Sequence, residues 1–357
     1  MTVYMLYLLL AGLQLPLFYR RNASGERTFE KSKYLALCCL EIIVLAGVRG
    51  YTVGADTSLY LSAIDYYSAM KPIELIRAKL VTPFKFEAGY FALNKLCILL
   101  GMNKTEFLFT VAIMVYVSLY YTICKYSSSP YISILAYFAF GYFSYSLGIF
   151  RQMIAISILL CGWNCVVERR FFNYLLITAF ATLFHTTALL GIALYFVYGC
   201  RWKRLVWLLP VAELFLLIYA RSIVVFAFSL FPRFTNYLGG KFDVSSGSYL
   251  NLIFLNMILI MWCVLNYKNK KEEKSVVASS LVLAICLQTL GYSMGLFGRT
   301  VAYYSIYTIF AIPDILSRLD KKSQVICKPA VAGTLLLMSF FVLNEDQYIT
   351  PYYTFFS

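Results

Sequence analysis

A single histidine, His185, occurs in this 357-residue chain, and charged residues make up only 13% of it. One imidazole excludes a metal site built from several histidines. HExxH is absent, and so is any CxxC pair, which excludes the usual zinc arrangements. GxxxxGK[ST] and GxGxxG are absent too, so ATP-driven transport and dinucleotide binding lack their phosphate-cradling loops. No DxD pair is present to hold a divalent cation. Neither metal nor cofactor is therefore expected. A soluble domain of this size would carry about 25% charge, roughly double what is found here.

What the chain has instead is apolar and aromatic surface: 61% hydrophobic residues and 18% aromatic ones. Apolar runs of about 15 to 22 residues recur from end to end, and a helix needs roughly 20 to cross the hydrocarbon core. The short alternating strands of a membrane β-barrel do not appear. The pattern predicts an all-α, polytopic integral membrane protein: a helical bundle of roughly 10–14 spans forming one transmembrane domain over 1–357. The runs fall near 3–18, 34–48, 88–101, 105–124, 131–147, 151–167, 172–199, 205–230, 250–266, 275–297, 300–316 and 329–343.

Basic residues outnumber acidic ones 31 to 17. They gather in short loops such as 20–33, 201–204, 268–274 and 318–328, at alternating ends of the runs. That is the positive-inside pattern of a membrane protein rather than the continuous patch of a nucleic-acid binder. The first run has no basic residue ahead of it and a basic cluster behind it, the reverse of a cleaved signal peptide. It is expected to be a retained span with its N-terminus outside. The ten cysteines lie mostly in or beside apolar runs and read as packing residues.

Two segments, near 49–87 and 231–249, are expected on the outer side. Within the first, Tyr60, Leu61, Ile64 and Tyr67 recur at helical spacing and predict an amphipathic helix at the interface. Two places resist simple counting. Only two runs separate the external 49–87 from the internal Lys125, where an odd number of crossings is required, so one run, or part of the 49–87 loop, must be re-entrant. Residues 172–199 are long for one crossing and short for two. A broken pair of half-helices fits them, with His185 near the break; irregular backbone at that depth is tolerated only when buried in protein or lining a cavity.

Ionisable residues in such a chain are costly and concentrate attention. Arg49 and Asp56 follow the second run. Glu87 starts another, Arg151 and Gln152 a further one, and His185 sits in the broken segment. Arg299 lies near an outer end, with Tyr303 a turn later. Arginine presents a planar fork of donors suited to phosphate oxygens and stays charged when buried. Arg49, Arg151 and Arg299 are accordingly candidates to hold an anion with several oxygens, a lipid diphosphate being the membrane-borne example. Preorganised guanidinium groups would stabilise the charge growing on a departing diphosphate. Asp56, Glu87 or His185 would serve as general base toward a sugar hydroxyl. Each has a plainer reading as well: Arg49 as a snorkelling anchor, Asp56 and Glu87 as helix-start acids, His185 as a hydrogen-bonded interior residue, and Arg299 as a partner for a carboxylate. Glu41 and Glu213, inside spans, read as structural partners of such arginines. The tyrosine-rich faces read as interfacial belts.

The order of these pieces resembles the EpsG family of Wzy-like polysaccharide polymerases. The likeness is carried by Arg49 with Val53-Gly54-x-Asp56-Thr57 and Tyr60, then Glu87-x-Gly89-Tyr90, Arg151-Gln152 with Ala155, Phe184-His185 ahead of Ala188, Arg299 with Tyr303, and a terminal Pro351-Tyr352. The resemblance implies a bundle with an outward-facing cavity, like other lipid-dependent glycosyltransferases. It implies an enzyme of the bacterial cytoplasmic membrane that joins undecaprenyl-diphosphate-linked oligosaccharide repeat units at the outer face, during exopolysaccharide, capsule or O-antigen assembly. A flippase and a chain-length regulator of the same pathway are the expected partners. In that picture Asp56, Glu87 and His185 are catalytic, Arg49, Arg151 and Arg299 bind diphosphate, and Tyr60, Gln152 and Tyr303 contact substrate. The alternatives are a lipid-linked oligosaccharide flippase or transporter, for which internal repeats would be expected, and an O-antigen ligase or membrane acyltransferase.

Overall fold

The computed structural model of the chain describes residues 1–21, 27–71, 73, 74, 84, 86–229, 249–267, 273–292 and 295–356. The expected external loop at 231–249 lies outside the described residues except for Tyr249, as does most of 72–85. Apart from a hairpin that pairs Tyr19–Arg21 with Arg27–Phe29, the named elements are helical. Four of them are long and apolar enough to cross a bilayer: Lys104–Tyr126, Trp202–Phe226, Tyr249–Asn266 and Lys321–Glu345. The protein is an all-α polytopic membrane protein.

Local sequence explains where the helices start and stop. At the head of Lys104–Tyr126, Asn103 accepts from Glu106 N while the Glu106 carboxylate accepts from Asn103 N, a reciprocal capping box. Lys125 closes that helix, where a cation suits the dipole. Pro130 opens the next helix at a position that needs no N–H. Several apolar runs are interrupted. The run at 131–147 becomes Pro130–Ala139 and Tyr142–Gly148, separated at Gly141 in the left-handed region. The run at 172–199 is broken as its length predicts: Phe171–Thr182, then a 3₁₀ segment Thr186–Gly191, then Ile192–Tyr198, with His185 at the break. The Ala88–Leu99 helix has 12 residues. That is roughly 18 Å at 1.5 Å per residue, short of the ~30 Å core. A helix of this length does not cross the core by itself.

The chain divides into two compact units. The first comprises Met1–Gly162, Leu175–Leu189 and Asp320–Ser357. Its helices are tied together by tyrosine hydroxyls that donate to main-chain oxygens of other segments. Tyr7 donates to Cys38 O, Tyr34 to Ala11 O and Tyr4 to Ile349 O. The sequence placed such tyrosines in interfacial belts; many are instead fully buried. In lipid a hydroxyl has no water to turn to, so a carbonyl on a neighbouring segment satisfies it and fixes the packing. The Thr57–Ser68 helix carries Tyr60, Leu61, Ile64 and Tyr67 on its buried face, as their spacing predicts.

The second unit comprises Trp163–Tyr174 and Leu190–Leu319. The Val276–Gly291 helix forms its centre and is buried along most of its length. Trp262 Nε1 donates to Asp314, which Arg318 also approaches at 3.1 Å. Glu41 and Glu213 find amide partners rather than the arginines expected. Gln14 donates to Glu41 at 2.5 Å and Asn256 donates to Glu213 at 3.0 Å. A neutral amide gives a carboxyl group one donor without bringing a second charge into the hydrocarbon.

Candidate active site at the Glu87 carboxylate

Glu87 stands immediately ahead of the Ala88–Leu99 helix, in extended backbone conformation. The first N–H groups of a helix have no partner within it. Here Gly89 N and Tyr90 N both donate to Leu183 O, in the broken segment, at 2.7 and 3.3 Å. Only glycine allows this approach: a Cβ at position 89 would stand 2.7 Å from Leu183 Cβ and 2.9 Å from Leu183 O. The docking brings Glu87 against His185 and Thr186. From a third direction, the Phe150–Cys161 helix contributes Arg151 in its first turn.

The carboxylate is fully engaged. Oε2 receives Arg151 Nη1 at 2.5 Å. Oε1 lies 3.2 Å from His185 Nδ1 and accepts from Thr186 N at 3.1 Å and Thr186 Oγ1 at 3.3 Å. Burial alone would push the Glu87 carboxyl up. The His185 hydrogen bond, the Arg151 charge and the Thr186 N–H overcome it and draw it down to about 2. Glu87 is thus ionised at neutral pH and holds its partners in place; a carboxylate so stabilised is a weak proton acceptor. Its bond to Nδ1 places a proton there, and in the neutral ring Nε2 is then the accepting nitrogen.

Arg151 also lies over aromatic faces, 5.0 Å from the Phe86 ring and 5.8 Å from the Tyr60 ring. Its Nε is buried without a hydrogen bond among the described residues. Tyr60 is buried beside it and stacks on Phe150 at 4.6 Å. Burial raises the Tyr60 hydroxyl above its ordinary pKa. Arg151 pulls it back, while Asp56 and Glu87 push it further up. These three charges therefore all act on one hydroxyl. Asp56 occupies the N-cap position of the Thr57–Ser68 helix, yet its side chain makes no capping bond. The plain cap reading of Asp56 thus has the right position and lacks the bond.

Arg49 is 1% exposed, and its guanidinium donates to Ala46 O, Val53 O and Leu147 O, with the Phe150 ring 5.1 Å away. Gln152 is buried. Arg299 and Tyr303 belong to the second unit, Arg299 exposed on the Gly295–Thr300 helix and Tyr303 buried. Sequence reasoning passed over Thr186 and Phe86. The doubled hydroxyl in His185-Thr186-Thr187 was a faint signal for the first, and nothing local marked the second.

Neither the curated proteins nor the solved structures contain a match to this chain. The family comparison does: the EpsG family model covers residues 33–354, a stretch that takes in Arg49, Asp56, Glu87, Arg151, His185 and Arg299. The chain belongs to the EpsG family, a Wzy-like polysaccharide polymerase family.

Proposed function

We propose that this polymerase is a glycosyltransferase that joins undecaprenyl-diphosphate-linked oligosaccharide repeat units at the outer face of the bacterial cytoplasmic membrane. The reading rests on family membership for the reaction class and on one observation for the chemistry: a single carboxylate, Glu87, holds Arg151, His185 and Thr186 together. His185 Nε2 takes the proton from the acceptor hydroxyl. The acceptor oxygen bonds to the anomeric carbon of the donor sugar. The bond from that carbon to the diphosphate oxygen breaks, and the electron pair leaves with the diphosphate. Arg151 keeps a buried Nε donor beyond its bond to Glu87, and its charge stabilises the departing anion. Glu87 acts like the orienting acid of a catalytic triad. Asp56, at the head of the helix that carries Tyr60, is assigned to positioning the acceptor.

Arg299 is assigned to the diphosphate on the strength of its place in the sequence. Arg49 spends its donors on main-chain carbonyls, so its part is taken to be shaping the loop that carries Asp56. The purified protein, given a lipid-diphosphate oligosaccharide, should produce a ladder of products lengthened by whole repeat units. Absence of the ladder with a donor from its own pathway would refute the reading.

The His185–Glu87 pair also favours a second reading, a membrane acyltransferase, because that chemistry uses a histidine beside an acid. Incorporation of a labelled acyl group into the glycan, with no ladder, would select it.

A further inference from the structure

The terminal Pro351-Tyr352 stretch is more than 160 residues from His185 and takes no part in the chemistry above. In the first unit, however, residues 348–355 bind the segment that leads to Asp56. Gly50 N donates to Tyr353 O at 2.8 Å, Gly54 N to Tyr348 O at 2.7 Å, and Phe355 N to Val48 O at 3.1 Å. The Tyr352 hydroxyl donates to Leu45 O at 2.8 Å, at the end of the Lys31–Gly47 helix. These bonds run in both directions between the two segments, so 48–54 cannot shift without breaking several at once.

The other side of that segment is fixed from within. Gly54, at φ +110°, packs so closely on Leu147 O that a Cβ there would fall 2.2 Å from it. Thr57 Oγ1 and the Arg49 guanidinium also donate to Leu147 O. Phe150 lies beneath Arg49, next to Arg151 in sequence and stacked on Tyr60. The tail, the 48–54 segment and the start of the Arg151 helix are thereby connected by contacts at every step.

We infer that residues 348–355 are a clasp that positions the Arg49–Asp56 segment, and that transfer requires it although none of its residues touches the reacting atoms. The inference rests on the glycosyl-transfer reading for its activity arm only. The alternative is a tail that merely packs down after the bundle has formed.

Two variants test this: a chain ending after Asp346, and Tyr352→Phe, which keeps the ring and removes one clasp bond. Each is made with Ala55→Cys, an exposed position between Gly54 and Asp56. Labelling by a membrane-impermeant maleimide is compared with the parent chain lacking that cysteine. The truncated protein should elute from detergent gel filtration like the full chain, label at residue 55 at least tenfold faster, and lose at least tenfold in product ladder. Tyr352→Phe should shift both readouts in the same direction, by about two- to fivefold. Unchanged labelling in either folded variant overturns the clasp, as does a full ladder from the truncated chain. Should the truncated chain not elute as folded protein, Tyr352→Phe decides alone. Faster labelling in a protein whose parent makes no ladder would support the clasp while refuting the transferase.

Discussion

Glu87 and His185, 98 residues apart in sequence, stand 3.2 Å from each other, carboxylate oxygen to Nδ1. The contact exists because the start of one short helix docks on the carbonyl at the break of another segment. It turns two isolated ionisable residues into an oriented pair, with Arg151 closing the far side of the carboxylate.

Glu87→Gln should lower turnover by about 10²–10⁴-fold, the range associated with a general base and its correct protonation. The amide removes the Arg151 ion pair and frees the imidazole to adopt either tautomer. The pair's side chains are 20% and 16% exposed. Its loss should therefore cost stability between the ~1 kcal/mol of exposed pairs and the ~3–5 kcal/mol of buried ones. Its pH dependence has a defined sign. The folded-state pKa, about 2, lies below the ordinary 4.5. The contribution is complete above about pH 4.5 and is lost as pH falls toward 2. Melting temperatures of wild type and Glu87→Gln in detergent should differ at neutral pH and converge across that window; a constant gap would contradict the assignment.

Arg151→Ala and Arg299→Ala should each abolish long-chain glycan in cells while leaving the amount of protein in the membrane unchanged. Normal polymer in either variant would remove that residue from the diphosphate. Arg151→Lys should rescue little, because an ammonium cannot reproduce the planar fork that serves Glu87 and a second acceptor together.

Asp56→Asn should reduce turnover at least tenfold with little change in the KM for donor. Because Asp56 makes no capping bond, Asp56→Ala should cost less stability than the ~1 kcal/mol typically lost when a true cap is truncated to alanine. Wild-type turnover of Asp56→Asn, combined with a loss of ~1 kcal/mol or more in Asp56→Ala, would return Asp56 to the role of a helix cap.

Gly89→Ala should be damaging out of proportion to one methyl group. The new Cβ would meet both the Leu183 side chain and its carbonyl under 3 Å, so the helix start must retreat from the broken segment. Overpacking of this kind costs about 1–3 kcal/mol. The greater effect should be on turnover, since Glu87 moves away from His185. Thermal melting and the product ladder measure the two separately.

Much of the architecture was legible in the sequence, and the reasons are local. Apolar run length and sparse charge dictate a polytopic helical membrane protein, because lipid leaves the backbone only helices or a closed barrel, and the alternating strands of a barrel do not appear. The spacing of Tyr60, Leu61, Ile64 and Tyr67 predicted the helix they share. The awkward length of 172–199 predicted the break at His185. The interruption at Gly141 was less legible, since an apolar run gives little sign of a single left-handed residue. The amide partners of Glu41 and Glu213 lie 27 and 43 residues away in sequence, and no local pattern encodes such a choice.

By itself the sequence determined the class of protein, the order of its helices and which ionisable residues were worth attention, because hydropathy and helical period are properties of neighbours along the chain. Only the tertiary structure decided what those residues do to one another. It turned the Arg49 guanidinium inward onto three carbonyls, made Glu87 the shared partner of Arg151, His185 and Thr186, and brought the last residues of the chain against residues 48–54. Those outcomes depend on close backbone approach and on which segment supplies each unsatisfied carbonyl, and neither is written in the spacing of residues along one strand of sequence.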